Sequence, residues 1–277
     1  NCSKMKKFLI LTTLLSSLII LNGCKEAAND KVKVAANTEF DVVILNGRVM
    51  DPETNFDALR NVGVKDGKIA IITEANIKGK ETIDAKGHVV APGFIDTHYH
   101  ATDVFASKMA LRDGVTTGMD LEAGSFNVKD WYAEKAKTGW QVNYGTNASL
   151  LFNRMAVHDP DAELSTPVDY SVIGIYAAKA LTDGVQGWAE TKSTVEEMNK
   201  VMQLMDEDLR QGAIGVAAPI AYMAKGISSY ELFEGQRVGA NYGRLTSVHT
   251  RYHLFLHYEW NLGKDFIRTN MHTTVSL

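Results

Sequence analysis

Between residues 39 and 90 the apolar positions come in short runs broken by turn residues, which is the spacing of strands. Phe40-Asp41-Val42-Val43-Ile44-Leu45 predicts an apolar strand that ends in a turn at Asn46-Gly47. Val62-Gly63-Val64 runs into the turn Lys65-Asp66-Gly67, and Lys68-Ile69-Ala70-Ile71-Ile72 returns as a hairpin. Thr82-Ile83-Asp84 and His88-Val89-Val90 add two more strands, the second after Ala85-Lys86-Gly87. A β-rich module of roughly fifty residues is near the lower limit of independent stability, so it is expected to pack on something else.

From residue 91 the pattern changes to strands alternating with helices. Ala91-Pro92-Gly93-Phe94-Ile95-Asp96-Thr97-His98-Tyr99-His100 is a short apolar strand after a Pro-Gly turn, ending in a pair of histidines. Residues 114–124 read as a second strand with acids near its end, and residues 140–147 as a third that turns polar at Asn143-Tyr144-Gly145-Thr146-Asn147. Between residues 194 and 212, Val195, Met198, Val201, Met202, Met205 and Leu209 recur at spacings of three and four, with Glu196, Glu197, Lys200 and Asp206 opposite. That is an amphipathic helix, with Ser193 or Thr194 as its N-cap and Gly212 as its end. Its methionines are expected to pack a core. Ala213-Ile214-Gly215-Val216-Ala217 enters the next strand, residues 230–240 form another helix, and Arg244-Leu245-Thr246-Ser247-Val248-His249 is a strand ending in histidine. Such alternation predicts an α/β fold, part of a (β/α)8 TIM-type barrel preceded by a small β-sandwich module.

In an extended strand, residues i and i+2 point to one side, so His98 and His100 project together at the C-terminal end of their strand, where barrels of this kind carry their sites. Two imidazoles on one face suit zinc or a similar borderline metal. Asp96 shares that face and is expected to orient an imidazole. Asp120 and Glu122 share a face of the next strand by the same rule. His158 is expected to be a solvated or capping residue in a loop before Asp159-Pro160, and His253 and His257 lack a third partner in the sequence around them.

The N-terminus changes the picture of where the chain resides. Asn1 to Lys4 stand ahead of Met5, the expected start. Met5-Lys6-Lys7 is a short positive segment, followed by an apolar run over residues 8–21 and by Leu21-Asn22-Gly23-Cys24. The run suits a signal-peptide core and is short for a membrane span. Leu-Asn-Gly-Cys resembles the lipobox of bacterial lipoproteins, which implies cleavage and lipidation at Cys24. Lys25-Glu26 follows without the aspartate that retains lipoproteins at the inner membrane, so the expected location is the periplasmic face of the outer membrane. Residues 25–38 read as a polar, alanine-rich tether. The two cysteines, Cys2 and Cys24, both precede the folded region, so any metal site there must use histidine, carboxylate or a modified lysine. A formal net charge of -4 across 277 residues offers no basic field for nucleic acid.

The stretches LNGRVMDP, NVGVKDGKIAII and TIDAKGHVVAPGFIDTHYH together resemble the amidohydrolase superfamily. Gly114-Val115-Thr116-Thr117, Gly212-Ala213-Ile214-Gly215 and Ser247-Val248-His249-Thr250-Arg251 narrow the resemblance to the N-acyl-D-amino-acid deacylase branch, over residues 39–252. The resemblance implies a metal-dependent hydrolase of the linear amide of a small N-acylated amino acid, holding one or two Zn²⁺ ions. It implies His98, His100 and His249 as ligands. Relatives carry a ligating cysteine soon after Gly-Val-Thr-Thr; here Leu121-Glu122-Ala123-Gly124 stands instead, so Glu122 is expected to replace the thiolate, with Asp120 as its rival. The family places a pocket tyrosine at Tyr222, a position equally suited to packing. Arg251, two residues beyond His249, is placed to meet a substrate carboxylate or to lie on the surface. Other chemistries of the same barrel, on cyclic amides or dipeptides, remain alternatives, as does a lipid-anchored protein without catalysis.

After Tyr252 the alternating pattern is lost. The family calls for three further strands, another histidine ligand and a general-base aspartate, none of which is identifiable in residues 253–277. The expectation is a C-terminally truncated barrel, from a shifted frame or an early stop, that is aggregation-prone and inactive when expressed alone.

Overall fold

The computed structural model describes residues 38–159, 168–175, 179, 184 and 187–251. Cys24, His253 and His257, with the expected signal segment and residues 252–277, lie outside the described residues. The chain divides into two compact units that meet at Pro92 and Gly93. Among the described residues no helix is long and apolar enough to cross a membrane.

The first unit is built on one long strand, β1 (Phe40–Asp51). β2 (Phe56–Lys65) pairs with it antiparallel, and β3 (Lys68–Thr73) pairs antiparallel with β2. β4 (Gly79–Asp84) and β5 (Val89–Val90) both pair parallel to β1, one after the other along its length. All five strands therefore form one mixed sheet, ordered β3-β2-β1-β4 with β5 also on β1, where a sandwich was expected. The length of β1 is the reason, since it gives both short strands an edge on the same sheet. Asn46-Gly47 is likewise no turn. Asn46 adopts φ 63° and its N–H donates to Asn61 Oδ1 at 2.8 Å, so the strand bulges and carries on to Asp51. The hairpin at Asp66-Gly67 forms as expected, with φ of 51° and 71° giving a type I′ turn.

The second unit is a parallel sheet in the order β10-β9-β8-β7-β6. Its strands are β6 (Phe94–Asp96), β7 (Val115–Ser125), β8 (Asn143–Ser149), β9 (Val216–Pro219) and β10 (Thr246–His249). Each strand lies beside the next one in sequence, and helices occupy the crossovers. These are α1 (Val104–Arg112), α2 (Val128–Thr138), α3 (Leu150–His158), α4 (Gly187–Glu190), α5 (Val195–Arg210) and α6 (Ser229–Ala240). Such monotonic winding is that of a (β/α) barrel, here a curled half-barrel of five described strands. β8 starts at Asn143, three residues later than the sequence suggests.

α5 follows its sequence pattern closely. Thr194 is the N-cap and forms a reciprocal capping box with Glu197, while Met198, Val201, Met205 and Leu209 are buried. Val195 is exposed, because the first turn projects past the core. Val201, Met205 and Leu209 join Leu150, Leu151, Phe152 and Met155 of α3, Val216 and Ala218 of β9 and Leu232 of α6 in one apolar cluster. Burial on this scale anchors the strands whose ends carry the polar groups.

Candidate metal centre

β7 carries Asp120 and Glu122 two residues apart on one face, and both are buried. The strand bends just beyond them at Gly124, where φ is 71° and a Cβ would lie 2.6 Å from the Asn147 carbonyl oxygen. Only glycine suits that bend. It brings the N–H groups of Ala123 and Gly124 back onto Asp120 Oδ1 at 3.0 and 3.1 Å. Asp120 is thereby fixed, and its other oxygen lies 3.0 Å from His100 Nδ1. With a carboxylate as partner, Nδ1 holds a proton, which leaves Nε2 as the nitrogen that can be given up to a metal ion.

The chain beyond β6 is tied to β7 by a bridge between His98 and Asp120 and by the Tyr99 N–H on the Met119 carbonyl. Both histidines then reach Glu122: Oε2 lies 3.7 Å from His98 Nε2 and 3.3 Å from His100 Nε2. The other oxygen, Oε1, lies 2.6 Å from Nδ1 of His249 at the end of β10. The four residues singled out by sequence, His98, His100, Glu122 and His249, thus converge on one carboxylate. Asp120 stands behind His100 rather than beside Glu122. Asp96 is corrected: its Oδ1 accepts the His98 backbone N–H at 3.0 Å, so it shapes the loop rather than holding a ring.

Charge accounts for the electrostatics. Burial pushes His100 down, but hydrogen bonds and charge from Asp120 and Glu122 outweigh it and hold the imidazole at about 9. Burial pushes Glu122 up, while His100 and His249 pull it below the usual carboxylate range. Two buried carboxylates facing imidazoles favour a positive centre, which a protonated imidazole or a bound metal ion can supply. Glu122 Oε2 is buried without a hydrogen-bond donor, a costly arrangement unless a positive centre meets it. Ligand atoms of His98, His100 and Glu122 all lie within 4.8 Å of one another. A set of imidazole nitrogens and carboxylate oxygen fits zinc and similar divalent ions.

Tyr222 follows β9 in a 3-10 turn (Ile220–Met223), its ring edge-on to His249 at 5.2 Å. Burial first, then the charge of Glu122, raises its hydroxyl above the ordinary value. Arg251 is buried, and its guanidinium donates to the carbonyls of Ala224 and Ile227, so it braces the loop that follows Tyr222. His158 is corrected as well. It is the last residue of α3, with Nε2 2.9 Å from Ser193 Oγ. Sequence reasoning missed Tyr170, which stacks flat on His100 with ring centres 4.0 Å apart. Its only local signal is the Asp169-Tyr170-Ser171 run, in which Asp169 caps a 3-10 turn (Tyr170–Val172).

The sequence model of the Amidohydrolase family matches residues 81–219, half of the chain. The chain is 26% identical over 216 residues to N-acyl-D-glutamate deacylase of Alcaligenes xylosoxydans xylosoxydans, a match covering 77% of this chain and 44% of that protein. Over 60 residues it is 53% identical to dihydroorotase of Streptococcus pneumoniae, covering 21% of this chain and 14% of the other. Among solved structures it resembles N-acyl-D-glutamate deacylase from Bordetella bronchiseptica, complexed with zinc and a phosphonate inhibitor, with a TM-score of 0.60 at 23% identity. That likeness covers 78% of this chain and 46% of the other, and the fold of the second unit is accordingly that of the amidohydrolase barrels. The chain spans less than half the length of the curated relatives it matches. On the family match and the shared fold, this chain belongs to the amidohydrolase family.

Proposed function

We propose that the protein is a metal-dependent hydrolase of the linear amide bond in N-acyl-D-amino acids. The observation that supports this most directly is the convergence of His98, His100 and His249 on the two oxygens of Glu122. In this reading those four residues hold one or two Zn²⁺ ions, with Glu122 offering a separate oxygen to each side. Bound by these residues, a divalent ion would supply Lewis acidity towards a carbonyl and towards water. Asp120 fixes the tautomer of His100, and Tyr222 walls the pocket beside His249. Arg251, placed by sequence against a substrate carboxylate, acts here through the loop it braces.

The N-acyl-D-amino-acid reading rests on the resemblance to a deacylase of that class over three quarters of the chain. A second reading, hydrolysis of a cyclic amide, draws on the shorter and closer match to a dihydroorotase. Purified, zinc-supplemented protein assayed on N-acetyl-D-glutamate, other N-acetyl-D-amino acids, dihydroorotate and a dipeptide separates the two. We expect no turnover by residues 1–277 alone, in which a general-base aspartate is not identifiable, and turnover of the acylated D-amino acids by a protein of the relatives' length that carries these residues, lost there in His98→Ala together with bound zinc. Turnover of dihydroorotate alone overturns the proposal, and turnover retained in His98→Ala overturns the site. No turnover of any class by that longer protein leaves a metal-binding protein without catalysis. We further propose lipid anchoring through Cys24 at the outer membrane, which labelled palmitate incorporation, abolished in Cys24→Ala, would test.

A further inference from the structure

One group of buried side chains close to the centre has no place in that reading. α2 presents Trp131 and Lys135, one helical turn apart, and both are buried although lysine normally stays in water. The Lys135 ammonium sits 3.7 Å from the ring centre of Trp140 and 5.3 Å from that of Trp131, a cation held over two indole faces. It lies 3.9 Å from Asp169 Oδ2, and the Trp131 indole N–H donates to the same oxygen at 3.2 Å. The other oxygen of Asp169 accepts from the Ser171 N–H at 3.0 Å and from the Ser171 hydroxyl at 2.7 Å. One residue earlier, Val168 is fully buried and bridged to Phe126, beyond the end of β7. The backbone on either side of Tyr170 is therefore fixed at Val168, Asp169 and Ser171.

That fixing has a consequence for His100. Its contacts to Asp120 through Nδ1 and to Glu122 through Nε2 both lie at the ring edge and leave the faces of the imidazole to be packed by other groups. Tyr170 packs one face by lying parallel to the imidazole, with an interplanar angle of 8°. The His98 ring meets the imidazole edge-on at 4.7 Å. With face, edge and Nδ1 all engaged, the direction in which Nε2 points is set before any ion arrives, which reduces the ordering cost of binding.

We propose that Tyr170 is a positioning residue for the metal centre, held by an Asp169 clamp on Trp131 and Lys135 and fixing the plane of His100 by stacking. The proposal rests on the metal-site part of the reading above and is independent of the substrate. Its test is the Zn²⁺ dissociation constant, read by competition with a chromophoric chelator, in Tyr170→Leu, Tyr170→Phe and Asp169→Asn. Thermal unfolding of each metal-free protein reports on the fold. Loss of an outer support of a ligating histidine weakens metal binding about tenfold or more, and we expect this for Tyr170→Leu. Tyr170→Phe keeps the ring and should bind within about twofold of wild type, and Asp169→Asn should fall between them. Tyr170→Leu binding zinc like wild type overturns the proposal, and so does Tyr170→Phe losing as much as Tyr170→Leu. A loss in Tyr170→Leu matched by an equal loss of metal-free stability also overturns it, because the effect is then on folding. A wild-type protein that takes up no zinc overturns both this proposal and the site. The expected pattern of affinities in a protein that hydrolyses no N-acyl-D-amino acid supports the positioning role and defeats only the substrate reading.

Discussion

The two sheets of this chain place charge in opposite ways. In the first, ion pairs lie at the surface: Arg48 with Asp57, Lys80 with Asp41 and Arg60 with Glu74 all keep solvent contact. In the second, Asp120, Glu122, Arg154, Asp208 and Glu231 are all buried. Coverage explains the contrast. In the first unit the paired charges stand on or beside strands with no described helix over them, whereas in the second β7 carries Asp120 and Glu122 near its end and the helices α3, α5 and α6 turn Arg154, Asp208 and Glu231 onto the core they cover. Buried charge survives only with partners, so each such residue in the second unit marks either a structural tie or a site. Glu122 belongs to the site. Arg154 belongs to the ties, with its guanidinium shared among Glu231, Ser193 and the carbonyls of Trp188 and Thr191.

That contrast breaks most visibly at Arg154. Arg154→Ala strands Glu231 in the core, and denaturant unfolding should show a loss of about 3–5 kcal/mol. Replacing both partners, as Arg154→Met with Glu231→Leu, should restore most of it; a double variant as unstable as the single would show that the pair itself carries the stability.

Asp208 sharpens the comparison through pH. Its oxygens accept the Val128 N–H at 3.1 Å and the Asn153 amide at 3.0 Å, but burial outweighs both and raises its carboxyl to about 6. The folded state therefore holds the proton more tightly than the unfolded one. Stability from this group is present in full below the unfolded value of 3.8 and is lost as pH rises through about 6. Measured against Asp208→Asn, wild-type stability should fall by about 2 kcal/mol between pH 4 and pH 7. A difference that stays flat across this range would contradict the assignment.

The smallest effect is expected in the first sheet. Arg48→Ala removes an exposed pair with Asp57 and should leave the unfolding midpoint unchanged at moderate salt. A clear drop would erase the distinction between the two sheets.

Local rules read much of this molecule correctly. The capping box on Thr194 and Glu197, the Asp66-Gly67 hairpin and the buried stripe of α5 each depend on residues within a turn or two of one another. The same holds for the pairing of His98 with His100 and of Asp120 with Glu122, since side-chain direction in extended chain follows from spacing alone. Local reading failed where a distant partner decided the outcome. Asn46-Gly47 reads as a turn until Asn61 takes up the Asn46 N–H across the sheet. Asp96 reads as the support of an imidazole and Asp120 as a rival ligand to Glu122, and the bend at Gly124 turns Asp120 into the support.

Sequence by itself determined that strands would alternate with helices after residue 91, that two histidines would stand at the end of the first of those strands, and that thiol chemistry was absent from the folded region. It also supplied Glu122 and His249 as candidates, though only through a family resemblance. Tertiary structure alone decided that these residues, 127 positions apart, meet through one carboxylate at 2.6 Å. It alone put Lys135 between two indoles and laid Tyr170 on His100. The reason is physical: periodicity fixes which way a side chain points along its own element, while the partner it meets depends on how separate elements pack.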